Sequence, residues 1–290
     1  MIGVTGASGG IGGRVARHLA ERELEQRLIV RDASRAPSLP GAEVAEAPDY
    51  GDGEAMRRAL AGVATLLLVS AGEHPDRVSL HRSAVDAAAA AGVERVVYTS
   101  FVGAAADATF TFARDHFHTE EHIRAAGLGH TFLRDSMYLD YVPFFASAEG
   151  VIRGPAGDGR FGAVTRDDVA ECAVAALLDP QHEGRTYEVT GRESYTLADA
   201  AAILTRVSGR EVVYVEETLD EARASRAPSG APEWEIEGWV TSYAAIADGT
   251  LDVVTDTVVR LTGREPKTLP EFLQANPDSW AHLTGGATPS

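Results

Sequence analysis

The chain has 290 residues, 44% hydrophobic and 24% charged, a composition that supports a buried core and excludes a disordered or fibrous chain. Its 26 basic residues against 43 acidic ones give a formal charge of −17, which repels phosphate backbones and anionic lipid, so neither nucleic acid nor a membrane surface is an expected partner. Cys172 is the single cysteine, which leaves no internal disulfide and no Cys/His zinc spacing. With no leader-like start after Met1 and no apolar run near the roughly 18 residues of a membrane helix, the expected compartment is the reducing cytoplasm.

Residues 1–5 read as a buried strand, and Ile11, Val15 and Leu19 at helical spacing follow it. "RLIV" at 27–30 predicts a second strand, and "AEVAEA" near 42–47 a weak third. A helix over "DGEAMRRALAGV" leads to the apolar strand "ATLLLVS". "DRVSLHRSAVDAAAAAG" is a helix closed by Gly92, and "ERVVYTS" is the next strand. "ARDHFHTEEHIRAAG" is a helix closed by Gly127, and "HTFLR" a sixth strand. Repeated strand–helix alternation with apolar strands predicts an α/β fold, a doubly wound Rossmann-type parallel sheet covered on both faces. Beyond about residue 150 the rhythm changes. "VIRGPAGDGRFGAV" reads as a glycine-rich loop, "RDDVAECAVAALLD" as a helix, "RTYEVTG" and "EVVYVE" as strands, and the chain from 218 onward as mostly helical with a break at 226–234. The expected organisation is a cofactor domain over 1–150, a smaller α/β substrate or lid lobe over 151–280, partly interleaved with the first, and a frayed tail over 281–290.

The run Gly6-Ala7-Ser8-Gly9-Gly10-Ile11-Gly12 is a G-x-x-G-x-x-G loop between the first strand and the first helix. Its first glycine permits a tight turn, its second lets a diphosphate approach bare backbone, and its third allows close helix–strand packing. The helix start adds free N–H groups and a positive dipole end. The expected ligand is a dinucleotide; a ligand-free glycine turn is the plain alternative. At the end of the second strand, where an NAD enzyme usually places an acid for the ribose diol, the chain reads Val30-Arg31-Asp32, with Arg35 one helical turn on. Two guanidinium groups suit a 2′-phosphate, which favours NADPH; Asp32 keeps NAD open, and two solvated arginines are the bland reading. Asp49 and Tyr50 in "DYGD" are placed near the adenine. Ser70 and Ala71, with Thr99 and Ser100, end the fourth and fifth strands, where ribose and nicotinamide would rest.

Ketone-reducing short-chain dehydrogenases commonly use a Tyr-x-x-x-Lys helix. Lys267 is the only lysine and Gly263 lies four residues before it, so no such pair exists anywhere in the chain. At the corresponding helix, "DHFHTEEHI" sets His116 and Glu120 at i,i+4, expected to line the nicotinamide pocket. His118 and His122 form a second pair, read as a solvated face. Without a third ligand neither pair makes a zinc site, so no metal is expected. The reaction then needs little acid catalysis, which fits hydride transfer to a quinone: the ring is electron-poor and the hydroquinone anion is weakly basic.

The segments "TGASGGIGGRVARHL", "LIVRDASRA", "DYGD", "AAAAAGVERVVYTS", "DHFHTEEHIRAAGLGHTFLRDSMY" and "GDGRFGAVTRDDVAECAVAAL" together resemble the NmrA-like atypical short-chain dehydrogenases, most of all their type 2 NADPH-dependent quinone oxidoreductases. The resemblance runs from residue 1 to about 205. It implies a Rossmann lobe with a small C-terminal lobe, NADPH in the cleft and no flavin. It implies cofactor contacts at Gly6, Ser8, Gly9, Gly10, Ile11, Arg31 and the Ser70 loop. It sets the segment from Leu133 through Asp135, Ser136, Met137 and Tyr138 beside the nicotinamide, where members often carry Asn-Gly in place of Asp135-Ser136. Tyr138 joins His116 and Glu120 as a catalytic candidate, and Phe101, Tyr138 and Phe144 are candidates for an aromatic wall against a flat substrate, with core packing as the alternative. A non-catalytic NADP(H)-binding redox sensor of the NmrA type is the competing expectation. The oligomeric state is left open, a homodimer among the options.

Overall fold

The structure is a computed structural model and describes residues 1–284. The first half runs β1 (Ile2–Thr5), α1 (Gly10–Glu21), β2 (Gln26–Val30), β3 (Ala42–Glu46), α2 (Gly53–Ala59), β4 (Thr65–Leu68), α3 (Arg77–Ala90), β5 (Arg95–Phe101), α4 (Thr111–Ala125), β6 (Gly129–Asp135) and the short β7 (Met137–Tyr138). The second half continues through β8 (Val151–Gly154), β9 (Phe161–Val164), α5 (Arg166–Leu178), β10 (Arg185–Val189), β11 (Ser194–Tyr195), α6 (Leu197–Ser208), β12 (Val213–Glu216), α7 (Leu219–Arg226), α8 (Glu233–Ala247), α9 (Thr257–Thr262) and α10 (Leu269–Ala275).

Seven parallel strands form the main sheet in the order β10-β6-β5-β4-β1-β2-β3. The order reverses between β1 and β4, which opens a crevice beyond the strand C-termini. Leu66, Leu67 and Leu68 of β4 are all fully buried because helices cover both faces. On one face Val15 and Leu19 of α1 and Val169 and Ala173 of α5 close over Val4, Leu28 and Leu133. On the other, Met56, Ala84, Val85 and Ile123 of α2, α3 and α4 close over Leu66, Tyr98 and Phe132. The strand β10, which sequence placed in the smaller lobe, pairs with β6 as the seventh strand of the main sheet, and α5 packs beside α1.

A three-stranded sheet β11-β9-β7, which takes β7 from the first half, and the pair β12-β8 accompany a third core that holds Phe161, Leu204, Ile246 and Leu273. The stretch expected as a glycine-rich loop is therefore two strands around a turn. Its glycines serve close approach: a Cβ on Gly162 would meet the Val253 carbonyl oxygen at 2.1 Å, and one on Gly154 would meet the Tyr243 ring at 2.3 Å. The break expected at 226–234 holds the 3-10 turn Ala227–Ser229, after which α8 begins. Pro277–Thr284 forms a final 3-10 segment with Leu283 buried, and the remainder of the expected tail, 285–290, lies outside the described residues.

Candidate active site

The glycine loop is built as a cradle. Gly6 turns the chain out of β1 at φ +60°, and the Gly9 N–H closes the turn on the Gly6 carbonyl at 2.8 Å. A Cβ on Gly12 would lie 2.5 Å from the carbonyl oxygens of both Thr5 and Gly6, so α1 reaches β1 this closely only with glycine there. Ala7 and Ile11 are buried beneath the loop while Ser8 and Gly9 face solvent. Gly9 caps α1 without a side chain, and no acid stands in the first turn. The open N–H groups and positive end of a twelve-residue helix fit a diphosphate.

At the end of β2, Arg31 and Arg35 are exposed, and neither has an ion-pair partner among the described residues. Asp32 is engaged in its own turn: Oδ1 accepts from the Ser34 N–H at 2.9 Å and from the Ser34 hydroxyl at 2.6 Å, and these bonds hold its pKa below the usual carboxylate value. One carboxylate oxygen of Asp32 is thus engaged in its own turn, and the two arginines carry no ion pair among the described residues. Asp49 is exposed and accepts from the Gly51 N–H at 2.7 Å, while Asp52 caps α2. The Tyr50 hydroxyl turns inward, 2.7 Å from both Thr5 Oγ1 and the Val69 carbonyl oxygen, and burial pushes its pKa up to about 12.

The cleft floor rests on a buried polar network. Thr99 Oγ1 accepts from the Ser70 N–H at 2.8 Å, and His81 Nε2 accepts from the Ala71 N–H at 2.8 Å. His81 Nδ1–H therefore points to Thr119 Oγ1, 2.8 Å away. Arg77 Nη2 donates to His116 Nε2 at 3.0 Å, which leaves His116 Nδ1–H for the Tyr98 hydroxyl at 2.9 Å. Burial first, and then the Arg77 charge, push His81 down to about 3 and His116 well below its usual value, so both rings are neutral. The network fixes the main chain of Ser70 and Ala71 from below. Its members Arg77, His81, Tyr98 and Thr119 carry no motif that would single them out in the sequence; their partners come from other elements.

The sequence reading set His116 and Glu120 on the pocket wall. Both are buried, and both are committed to protein partners. Glu120 is fully buried, accepts from Arg134 Nη2 and Nε at 2.7 and 2.9 Å, and accepts from the Ser100 hydroxyl at 2.6 Å. His118 is exposed and His122 pairs with Asp86 on the surface at 2.7 Å. Among the described residues no group of three or more His, Cys, Asp or Glu is placed to hold a metal.

At the end of β6, Asp135 is fully buried and accepts from the Tyr138 hydroxyl at 2.9 Å, while its Oδ1 has no partner. Burial drives the Asp135 pKa well above the usual carboxylate value. Ser136 is buried and its hydroxyl donates to the Gly162 carbonyl, tying β6 to β9; Met137 packs into the third core. Of the three candidate aromatics, Phe101 packs edge-on to Phe110 at 5.1 Å, Tyr138 lies 6.0 Å from Tyr141, and Phe144, 57% exposed, stacks on His282 at 5.5 Å.

The glycine cradle, the crevice at the strand reversal and the cations after β2 coincide with a match to the model of the NAD(P)H-binding family over residues 6–180. The chain belongs to the NAD(P)H-binding family. This family member is 34% identical to quinone oxidoreductase 2 of Escherichia coli (strain K12), with 93% of the chain and 96% of the relative covered. It is 32% identical to an NAD(P)H azoreductase of Xenophilus azovorans, covering 95% and 98%. Among solved structures, the E. coli NADPH-dependent quinone oxidoreductase in complex with NADPH superposes with a TM-score of 0.87 at 33% identity, over 95% of this chain and 99% of that one. The negative transcriptional regulator NmrA in complex with NAD shares the fold at 17% identity and a TM-score of 0.74, over 93% of each chain. The family member is an NAD(P)H-dependent oxidoreductase. Two further residues carry no motif in the sequence: Arg166 stands beside the glycine loop at Gly10, and Asp140 holds Arg166.

Proposed function

We propose that this protein uses NADPH to reduce a quinone or a similarly electron-poor acceptor, and that it does so without a dedicated strong acid. The observation that carries the reading is the state of the cleft floor: the sequence holds no Tyr-x-x-x-Lys pair, the two histidines below it are neutral and bonded, and Glu120 is locked to Arg134. Neither His116 nor Glu120 is then poised to protonate a simple alkoxide, and a hydroquinone anion needs no strong acid, since water or the Tyr138 hydroxyl can protonate it. The names of the quinone and azo relatives support the same acceptor class. The cofactor supplies a hydride when bound. The protein's part is to hold it at Gly6, Ser8, Gly9 and Ile11, to select the 2′-phosphate with Arg31 and Arg35, and to keep Ser70, Ala71 and Thr99 fixed under the ribose and nicotinamide. Tyr138 and Phe101 would flank the acceptor, with His116 and Glu120 supporting the floor rather than touching it.

Residues 1–150, joined by α5 and β10, act as the cofactor lobe, and the rest of 151–280 as the substrate and lid lobe. A small molecule as the sole partner and a cytoplasmic location agree with the −17 charge and with the lack, among the described residues, of a helix long and apolar enough to cross a membrane. The test is loss of 340-nm absorbance with NADPH and benzoquinone or menadione. Turnover supports the enzyme reading. Tight NADPH binding with no turnover on any quinone would replace it with the sensor reading, and light scattering of the same sample reads whether a homodimer forms.

A further inference from the structure

Gly10 is not one of the three glycines that the loop motif requires, yet a Cβ there would fall 2.8 Å from Nη1 of Arg166 and 3.4 Å from its Cδ. Arg166 opens α5 and reaches back over the start of α1. Its backbone N–H and its Nε donate to the two carboxylate oxygens of Asp140 at 3.0 and 2.7 Å. Asp140 is only 7% exposed, and the guanidinium carbon stands 5.1 Å from the centre of the Tyr141 ring. One edge of the guanidinium is therefore pinned. Its two Nη atoms have no hydrogen-bond acceptor among the described residues, and Nη1 stands against the bare main chain of Gly10. Arg14 is different: it donates to the Gly10 carbonyl at 2.8 Å and pairs outward with Asp167, so its charge is already met.

We propose that Arg166 is a second grip on the cofactor's diphosphate, and that position 10 is glycine so that this guanidinium can stand at the loop. The proposal rests on the reading that the diphosphate lies on the Gly6–Gly12 loop. A fork with two free donors, held by a nearly buried carboxylate, is pre-organised for bidentate contact with phosphate oxygens. Because the diphosphate is common to NADPH and NADH, Arg166 strengthens both equally, whereas Arg31 discriminates between them. The structure thus divides affinity and choice between two arginines at opposite ends of the same cofactor.

The test is calorimetric titration of the full chain with NADPH and with NADH. Arg166→Gln is made together with Asp140→Asn, so that no buried charge is orphaned, and circular dichroism checks the fold. The expected result is weakening of both cofactors by about 10-fold or more, with their ratio unchanged. Gly10→Ala, which displaces the guanidinium, weakens binding in the natural chain and adds little in the double variant, a non-additive pair. Affinities within about 2-fold of the natural chain, or a loss confined to NADPH, overturn the proposal. Gly9→Ala separates the two readings. If it weakens binding while the double variant does not, only the role of Arg166 falls. If both bind as the natural chain does, the loop is not the diphosphate seat and both readings fall.

Discussion

Glu120 divides a structural role from a catalytic one, and Glu120→Ala reads the difference. The substitution strips the partner from Arg134 Nε and Nη2, held at 2.9 and 2.7 Å, and from the Ser100 hydroxyl. Removing one member of a buried pair costs about 3–5 kcal/mol. Arg134 keeps 20% of its side chain exposed and has Glu188 at 3.8 Å, so the lower end, about 3 kcal/mol, applies. Unfolding entropy near the midpoint is about 2.1 cal/mol/K per residue, or about 0.6 kcal/mol/K over 290 residues, so Tm falls by about 5 °C. Thermal unfolding of the cofactor-free protein, followed by circular dichroism, measures it beside kcat and KM for menadione. The expected pattern is the full Tm loss with kcat changed less than about 3-fold below the new midpoint. A Tm within about 1 °C of the natural chain, with kcat down more than about 10-fold, would refute the reasoning and return Glu120 to the reacting groups.

Arg31→Gln tests the proposed grip on the 2′-phosphate: NADPH affinity is expected to fall about 10-fold or more while NADH affinity holds, by fluorescence titration. Gly12→Ala drives a Cβ against two backbone oxygens at 2.5 Å, which cannot rotate away. Urea unfolding is expected to show a loss of about 1–3 kcal/mol, together with weakened cofactor binding. Asp135 gives a pH signature. Its folded pKa is raised far above the unfolded value of 3.8, so the folded state binds more protons between the two, and stability from this site falls as pH rises through that window. Asp135→Asn cannot titrate, so its Tm advantage over the natural chain is near zero at pH 4 and grows toward pH 8; an advantage independent of pH would show that Asp135 is ionised in the fold.

The sheet was legible because its signal is local. Apolar runs such as "TLLL" and the helical spacing of Ile11, Val15 and Leu19 mark buried strands and an amphipathic face without any knowledge of partners. The cofactor loop was legible for the same reason, as a short motif whose glycines answer to one turn and one helix contact. What escaped were features defined by a distant neighbour. Gly154 and Gly162 read as loop residues, since nothing nearby announces the Tyr243 ring or the Val253 carbonyl that make their bareness necessary. The spacing of His116 and Glu120 was read correctly as one helix face, but spacing does not say what that face meets. Arg77 lies 39 residues from His116, and Arg134 lies 14 from Glu120 on another element. The tertiary partners decide that His116 is a neutral ring and that Glu120 stands in an ion pair with Arg134.

The same partnership logic explains how a chain of charge −17 receives an anionic cofactor. Most of its arginines are spent on nearby acids, as in the pairs Arg27–Glu43, Arg57–Glu54 and Arg223–Glu237. Along the cofactor crevice the rule changes. Asp32 turns one carboxylate oxygen to Ser34, Arg31 and Arg35 have no ion-pair partner among the described residues, and Asp140 takes the backbone N–H and Nε of Arg166, which leaves its outer nitrogens open. These cations and the positive end of α1 are the favourable local charges that the proposed site offers an anion, on a chain whose net charge is repulsive. The acidic surface and the free arginines therefore work in one direction, raising selectivity for a compact phosphate-bearing ligand over extended polyanions whose charge would overlap the rim.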